Sequence, residues 1–282
     1  MNAAIFGVGR IGQPIGYAMD KLGYNLTVVD PVRESVGQLE TLIDKNIRHY
    51  NHIVDSRELR NIKPDIVISA LPYHQNKKVA SMCINAGIRY CDLGGRVDVS
   101  AEINDHANKA AKVPIFTDLG LAPGWVNILA EQGYKRVHDA TDVKMMVGGI
   151  PMHRPKGPLG YIMTWSLEGL LNEYKDDCKI LENGQIKTVP GLARYEIIDP
   201  MRRRGVRNCV YKTLRWMGHH QLLDFFMNKC EMSDEQLLDI FTQSAKYETS
   251  QDDVVIIIAE VNNDKGLSWR KEVIVEPDDN FT

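Results

Sequence analysis

The chain has 282 residues, 44% of them hydrophobic and 25% charged, with 22 glycines and 12 prolines, a composition that excludes disorder, collagen and low-complexity repeats. Its 34 basic and 37 acidic side chains leave a net charge of −3, which argues against a general nucleic-acid or membrane-surface binder. At about 150 residues per domain the length predicts two domains. The longest aliphatic run, Val254 to Ala259, is far short of the ~20 residues that cross a bilayer. A strand already reads from Ala3-Ala4-Ile5-Phe6, with no secretory leader before it. Five cysteines form no CxxC pair, so the reading is a cytoplasmic protein with reduced thiols, without a disulfide frame or a metal site.

The first 120 residues alternate strand and helix signals. Asn2 to Phe6 is an apolar strand that runs into the glycine loop GVGRIG. Ile11, Ile15, Ala18, Met19 and Leu22 recur every three or four residues and predict a helix, stopped at Gly23. Asn25 to Asp30 is a second strand and Ser35 to Lys45 a second helix. A short third strand near Ile47 to Tyr50 and a small helix fill the poorly patterned stretch to Ile62. Asp65 to Ala70 is a strand whose unbroken apolar centre implies burial on both faces. A helix at Asn76 to Ala86, a strand at Ile88 to Cys91, a helix at Ser100 to Lys112 and a strand at Val113 to Thr117 follow. This order predicts an α/β fold, a doubly wound parallel sheet.

After Gly124 the pattern becomes α+β. Trp125 to Val137 reads as a helix, Thr141 to Val147 as a strand, Pro151 to Pro158 as a loop and Thr164 to Tyr174 as a helix. A hairpin turns at Asn183-Gly184, helices surround Leu222 and Leu238, and antiparallel strands span Asp253 to Val261 and Leu267 to Val275. The run from Met201 to His220 carries six basic residues and no acid, read as a solvated face or the rim of an anionic site rather than a nucleic-acid surface.

Gly7, Gly9 and Gly12 stand in GxGxxG spacing between a strand and a helix, the context a Rossmann dinucleotide-binding fold requires. Gly7 makes the tight turn, Gly9 admits the pyrophosphate, and Gly12 lets helix and strand close up. Arg10 and Ile11 complete the loop, and the pyrophosphate would rest on the helix N-terminus. Asp30, 23 residues after Gly7, is placed to take both ribose hydroxyls, which favours NAD; Arg33 lies near enough to leave NADP open. The alternative for Asp30 is an ordinary turn residue. In strand order 3-2-1-4-5-6 a ligand also meets the loop after the fourth strand. That brings in Ala70, Leu71, Pro72, Tyr73 and His74. The next two strands end in CDLGGR and TDLGLAPG, sending Asp92, Gly95, Arg96, Asp118, Leu119, Gly120 and Gly124 to the same edge. Capping or turn roles are the competing reading for Asp92 and Asp118, and an exposed helix start for His74.

With those segments in view, VGRIGQPIG, ALPYHQN, YCDLGGR, TDLGLAPGWVNILAE, VGGIP, PLGYIMTWSLEGLLNEY and VPGLARYE resemble the saccharopine dehydrogenase family, most of all its lysine ε-dehydrogenase and saccharopine reductase-like branch. The resemblance runs from Ala4 to about Ile198 and thins toward the C-terminus. It implies NAD(P)-linked hydride transfer to or from the C–N bond of an amino acid or its imine, commonly on a homodimer. Residues 1–122 would be the dinucleotide-binding domain and 123–282 an α+β domain for substrate and dimer contacts. Among the catalytic candidates, proton transfer falls to His74 or Asp118, and Tyr73 is placed to hydrogen-bond the substrate nitrogen. A substrate carboxylate needs a forked cation, for which Arg96 is first choice and Arg154 or Arg194 are alternatives. Trp125 and Trp165 are candidate pocket walls. Between Pro200 and Asn208 the family usually carries a longer insert, and relatives continue beyond Phe281-Thr282. A dinucleotide-binding protein of this fold that has lost catalysis is therefore the alternative.

Overall fold

The computed structural model describes residues 1–162, 167–191, 205–245 and 252–277. Two compact units divide the chain, Met1–Gly124 and Trp125–Thr282.

In the first unit, β1 (Asn2–Phe6), α1 (Gly12–Lys21), β2 (Asn25–Val29), α2 (Arg33–Ile43), β3 (Arg48–Tyr50), α3 (Ser56–Ile62), β4 (Ile66–Ser69), α4 (Tyr73–Ala86), β5 (Arg89–Asp92), α5 (Val97–Ala110) and β6 (Ile115–Phe116) alternate along the chain. The strands form one sheet in the order β3-β2-β1-β4-β5-β6, and every pairing in it is parallel. Alternation along β1 splits its side chains between two cores. Ala4 and Phe6 join Val67, Val79, Cys83, Tyr90 and Ile103 on one side, while Ile5 joins Val28, Val36 and Leu39 on the other. Burial on both faces is what the unbroken apolar strands predict.

Several boundaries differ from the sequence reading. Pro72 stands at the N-cap of α4, so the helix starts at Tyr73 rather than Asn76 and carries Tyr73 and His74 in its first turn. Helix α5 likewise starts at Val97 rather than Ser100. Strand β6 shrinks to two residues.

The second unit contains α6 (Trp125–Arg136), β7 (Asp142–Pro151), α7 (Leu167–Lys175), β8 (Cys178–Glu182), β9 (Gln185–Val189), β10 (Asn208–Thr213) and α8 (His219–Asp224), which runs on as a π-helical turn (Phe225–Lys229). It closes with α9 (Asp234–Ala245), β11 (Asp253–Asn262) and β12 (Ser268–Val275). Its mixed sheet has the order β12-β11-β7-β10-β8-β9. The hairpin turning at Asn183-Gly184 pairs β8 with β9 as expected. Helix α6 packs on this sheet at Gly133, where a Cβ would lie 2.3 Å from the Trp269 ring.

Strand β10 is absent from the sequence reading. Its basic neighbours masked the β-forming run Val210, Tyr211 and Thr213, which pairs in parallel with β7. Strand β7 also runs on through Gly148 and Gly149; a Cβ at Gly148 would meet Leu214 at 2.7 Å, so the glycine admits the chain leaving β10. Among the described residues the basic run is not uniformly solvated. Arg207 pairs with Asp264, and the Arg215 side chain is 7% exposed, bonded to Glu173 and Tyr174. Arg202, Arg203 and Arg204 lie outside the described residues. All five cysteines are free thiols. Among the described residues no helix is long and apolar enough to cross a membrane.

Candidate functional site

The C-terminal edge of the first sheet carries the site. Gly7 leaves β1 at φ +83°, a conformation only glycine adopts without strain, and its Cα faces the Ala70 carbonyl 3.0 Å from where a Cβ would sit. The loops after β1 and β4 therefore abut, and Leu71 reaches the same point. A Cβ at Gly12 would fall 2.0 Å from the Gly7 carbonyl oxygen, so helix α1 can approach the loop only with glycine there. At Gly9 an added Cβ meets nothing within 4 Å. Helix α1 starts with no side-chain cap hydrogen bond at Ile11 and no acid in its first turn. An open cradle ahead of an uncapped helix N-terminus suits a pyrophosphate, drawn by the helix dipole and its N–H groups.

Asp30 takes up the turn role that was its alternative reading. Its side chain turns inward, with the residue 7% exposed. One carboxylate oxygen accepts the Val8 N–H at 2.7 Å and the other the Val32 N–H at 2.7 Å. The carboxylate thus fastens the glycine loop to the end of β2, the turn role that was its alternative. Each oxygen already accepts one backbone amide, so the position of Asp30 alone is no ground for preferring NAD over NADP. Arg33 opens α2 nearby, exposed and bonded to Glu40 at 2.7 Å. Glu40 is held below the usual carboxylate range by the Ile47 N–H and by Arg33.

At the β5 and β6 ends the two aspartates are structural ties. Asp92 is 1% exposed; it accepts the Gly94 N–H at 2.8 Å, the Asp118 N–H at 3.2 Å and the Tyr90 hydroxyl at 2.9 Å. Burial pushes its carboxyl above the usual range, against the pull of those donors. Asp118 sits at φ +63°, a left-handed position aspartate tolerates better than most residues. Its two oxygens accept Ser100 Oγ–H at 2.7 Å and Thr117 Oγ1–H at 3.0 Å. Gly120 and Gly124 bridge each other, with a Gly124 Cβ excluded at 2.1 Å from the Gly120 carbonyl; Leu119 between these turns is 46% exposed.

Tyr73, Gly95 and Arg96 meet at this edge. A Cβ at Gly95 would lie 2.8 Å from the Tyr73 Cβ, so the glycine lets the tyrosine pack on the loop. The Arg96 guanidinium stands 5.9 Å from the Tyr73 ring centre, and its fork is held by Asp98 through two bonds of 2.9 Å. That hydrogen-bonded carboxylate raises the Arg96 pKa further. Sequence reasoning missed Asp98, although an acid two residues after an arginine is a legible signal for such a pair. His74 is exposed, its ring edge-on to Tyr73 at 5.8 Å.

Trp125 and Arg154 belong to the second unit. Trp125 opens α6 and is 38% exposed; Arg154 is exposed in a loop beside Gly160 and Gly218. Arg194 and Trp165 lie outside the described residues.

A parallel sheet in this order, a glycine cradle at its switch point and a ring of turns past its strand ends define a Rossmann-type nicotinamide dinucleotide-binding domain joined to an α+β unit. The saccharopine dehydrogenase NADP-binding domain matches residues 3–114 and the saccharopine dehydrogenase C-terminal domain matches residues 120–275. The chain belongs to the saccharopine dehydrogenase family.

A Schizosaccharomyces pombe saccharopine dehydrogenase (NADP+, L-glutamate-forming) is 28% identical over 141 residues, covering 48% of this chain and 31% of that protein. The Pyricularia oryzae enzyme of the same name is 25% identical over 271 residues, covering 83% and 59%. The chain thus spans less than two thirds of the length of these relatives. The structure of apo saccharopine dehydrogenase (L-Glu forming) from Saccharomyces cerevisiae matches with a TM-score of 0.71 at 16% identity, covering 98% of this chain and 85% of that one.

Proposed function

We propose that this protein is an NADP(H)-linked oxidoreductase acting on the C–N bond of an amino acid or its imine, of the saccharopine dehydrogenase type. The observation that carries the reading is the pairing, in one chain, of a glycine cradle built for a dinucleotide with a second domain of the saccharopine dehydrogenase family. The choice of NADP rests on the inward turn of Asp30, on the exposed Arg33 at the start of α2, and on the NADP-binding family domain. Gly7, Gly9, Arg10, Ile11, Gly12, Ala70, Leu71, Pro72, Leu119, Gly120 and Gly124 would hold the dinucleotide, which supplies or accepts hydride at its nicotinamide ring.

The residues of the chain do the rest. Amine oxidation requires removal of a proton from nitrogen and imine reduction requires its delivery; the exposed His74 imidazole, next to the Tyr73 ring, is our candidate for both. Tyr73 contributes a hydroxyl toward the substrate nitrogen. Asp118, with both oxygens accepting hydroxyls, is assigned to holding the loop. Arg96 would take a substrate carboxylate by exchanging it for the Asp98 carboxylate, which already has the required forked geometry. A homodimer in the cytoplasm belongs to the same proposal, and light scattering of the purified chain reads the dimer directly.

The test is a steady-state assay with NADP+ or NADPH against lysine, saccharopine, and glutamate with an aldehyde partner. Turnover that prefers NADP(H) over NAD(H) supports the reading. NADPH binding without turnover of any member of the panel would sink the activity and leave a nucleotide-binding protein.

A further inference from the structure

Strands β5 and β6 pair through only two positions, Tyr90 with Ile115 and Cys91 with Phe116. Beyond them the two chains separate into the loops that carry Gly94, Gly95 and Arg96 on one side and Asp118 to Gly120 on the other. Asp92 holds the connection where the ladder ends. Its side chain takes the Gly94 and Asp118 amides, its main-chain oxygen takes the Leu119 N–H at 2.8 Å, and the buried Tyr90 hydroxyl anchors its other carboxylate oxygen. The loops interlock closely: a Cβ on Gly94 would be 2.4 Å from an Asp118 carboxylate oxygen. Gly94 and Gly95 are at φ +82° and +130° and Asp118 at +63°. Without that side-chain acceptor the Gly94 and Asp118 amides lose their shared partner, Asp118 keeps a positive φ that is unfavourable outside glycine, and the ladder above is short, so the register of the two turns loosens.

A dinucleotide-binding sheet of this order has two mononucleotide-binding halves about its switch point. The glycine loop, Asp30 and Arg33 lie in the β1–β2–β3 half; the loops tied by Asp92 lie in the β4–β5–β6 half. We propose that Asp92 is the positioning residue of the nicotinamide half, fixing the floor on which the ring and the reacting carbon are aligned without touching either. The proposal rests on the dinucleotide reading above and extends it to a residue buried out of reach of any ligand.

Isothermal titration of the full chain with NADPH and, separately, with 2′,5′-ADP, the adenosine fragment, tests it. In Asp92→Ala the NADPH Kd rises about tenfold while the fragment Kd stays within about twofold, because only one half loses its hydrogen bonds. Asp92→Asn retains a side-chain oxygen for the two amides and restores NADPH binding to within about threefold. Tyr90→Phe removes one donor from Asp92 at constant shape and gives an intermediate, equally selective loss; it carries the test should Asp92→Ala not fold. Equal weakening of NADPH and fragment, or unchanged NADPH binding in Asp92→Ala and Tyr90→Phe, would overturn the proposal. Wild-type protein that binds neither ligand overturns the dinucleotide reading with it. Selective binding loss in a protein that turns over none of the amino-acid panel upholds the role of Asp92 and refutes only the proposed reaction.

Discussion

Replacing Gly9 and Gly12 by alanine, one at a time, separates the two tasks of the glycine loop. At Gly12 the new Cβ would stand 2.0 Å from the Gly7 carbonyl oxygen and 2.8 Å from its carbon. Both are backbone atoms, so the helix and loop must part by about 1 Å, and overpacking of that kind costs about 1–3 kcal/mol or more. At Gly9 no atom lies within 4 Å and φ is outside the glycine-only region. Alanine there is neutral or stabilises by about 0.4–1 kcal/mol through the unfolded chain, yet its methyl fills the cradle. With NADPH at about 100 times the wild-type Kd, ligand linkage adds about 2.7 kcal/mol to stability. At about 2–4 °C per kcal/mol that is a Tm rise of roughly 5–10 °C. A hundredfold weaker Kd leaves about 0.4 kcal/mol, or roughly 1 °C. Thermal melts with and without NADPH should therefore show Gly9→Ala melting like wild type alone but scarcely responding to ligand, and Gly12→Ala melting early in both conditions. A Gly9→Ala protein with the full wild-type ligand shift would refute the assignment of the cradle.

Asp30→Ala leaves the Val8 and Val32 amides without acceptors; hydrogen bonds to an ionised group contribute about 1.5–3 kcal/mol each, so chemical denaturation should show a loss of about 3–6 kcal/mol with Asp30→Asn recovering part of it. For Asp92 the folded-state pKa lies above the unfolded one, chiefly through burial, with Tyr90, Cys91 and Asp118 as its titratable neighbours. Its contribution to stability is then complete below the unfolded carboxylate pKa and declines as pH rises through the folded value. The Tm of wild type minus that of Asp92→Asn should fall as pH is raised from the acid side, and a difference that grows instead would show the amide donors outweighing desolvation. In the second unit, Gly133→Ala drives a methyl to 2.3 Å from the Trp269 ring and 2.7 Å from Val261; a loss of about 1–3 kcal/mol in denaturant titration is expected, and none would mean that α6 can lift from the sheet freely.

Much of the first unit is legible along the chain because its signals are local. Unbroken apolar runs mark strands buried on both faces, and the three steric demands on Gly7, Gly9 and Gly12 arise within six residues. The Asn183-Gly184 hairpin is equally self-contained. Strand β10 escaped because basic side chains dominate a segment whose alternation is short. The carboxylates are different, since the same side chain can bind a ribose, take a proton or hold a turn. What Asp30 does follows from the amide of Val8, 22 positions away, and what Asp92 does from the amide of Asp118, 26 positions away. The sequence alone determined the alternating elements and the nucleotide loop, through periodicity and the stereochemistry of glycine, and its quoted segments carried the family resemblance. The tertiary structure decided which backbone amides these acids hold, because only long-range strand register settles which donor a buried oxygen meets.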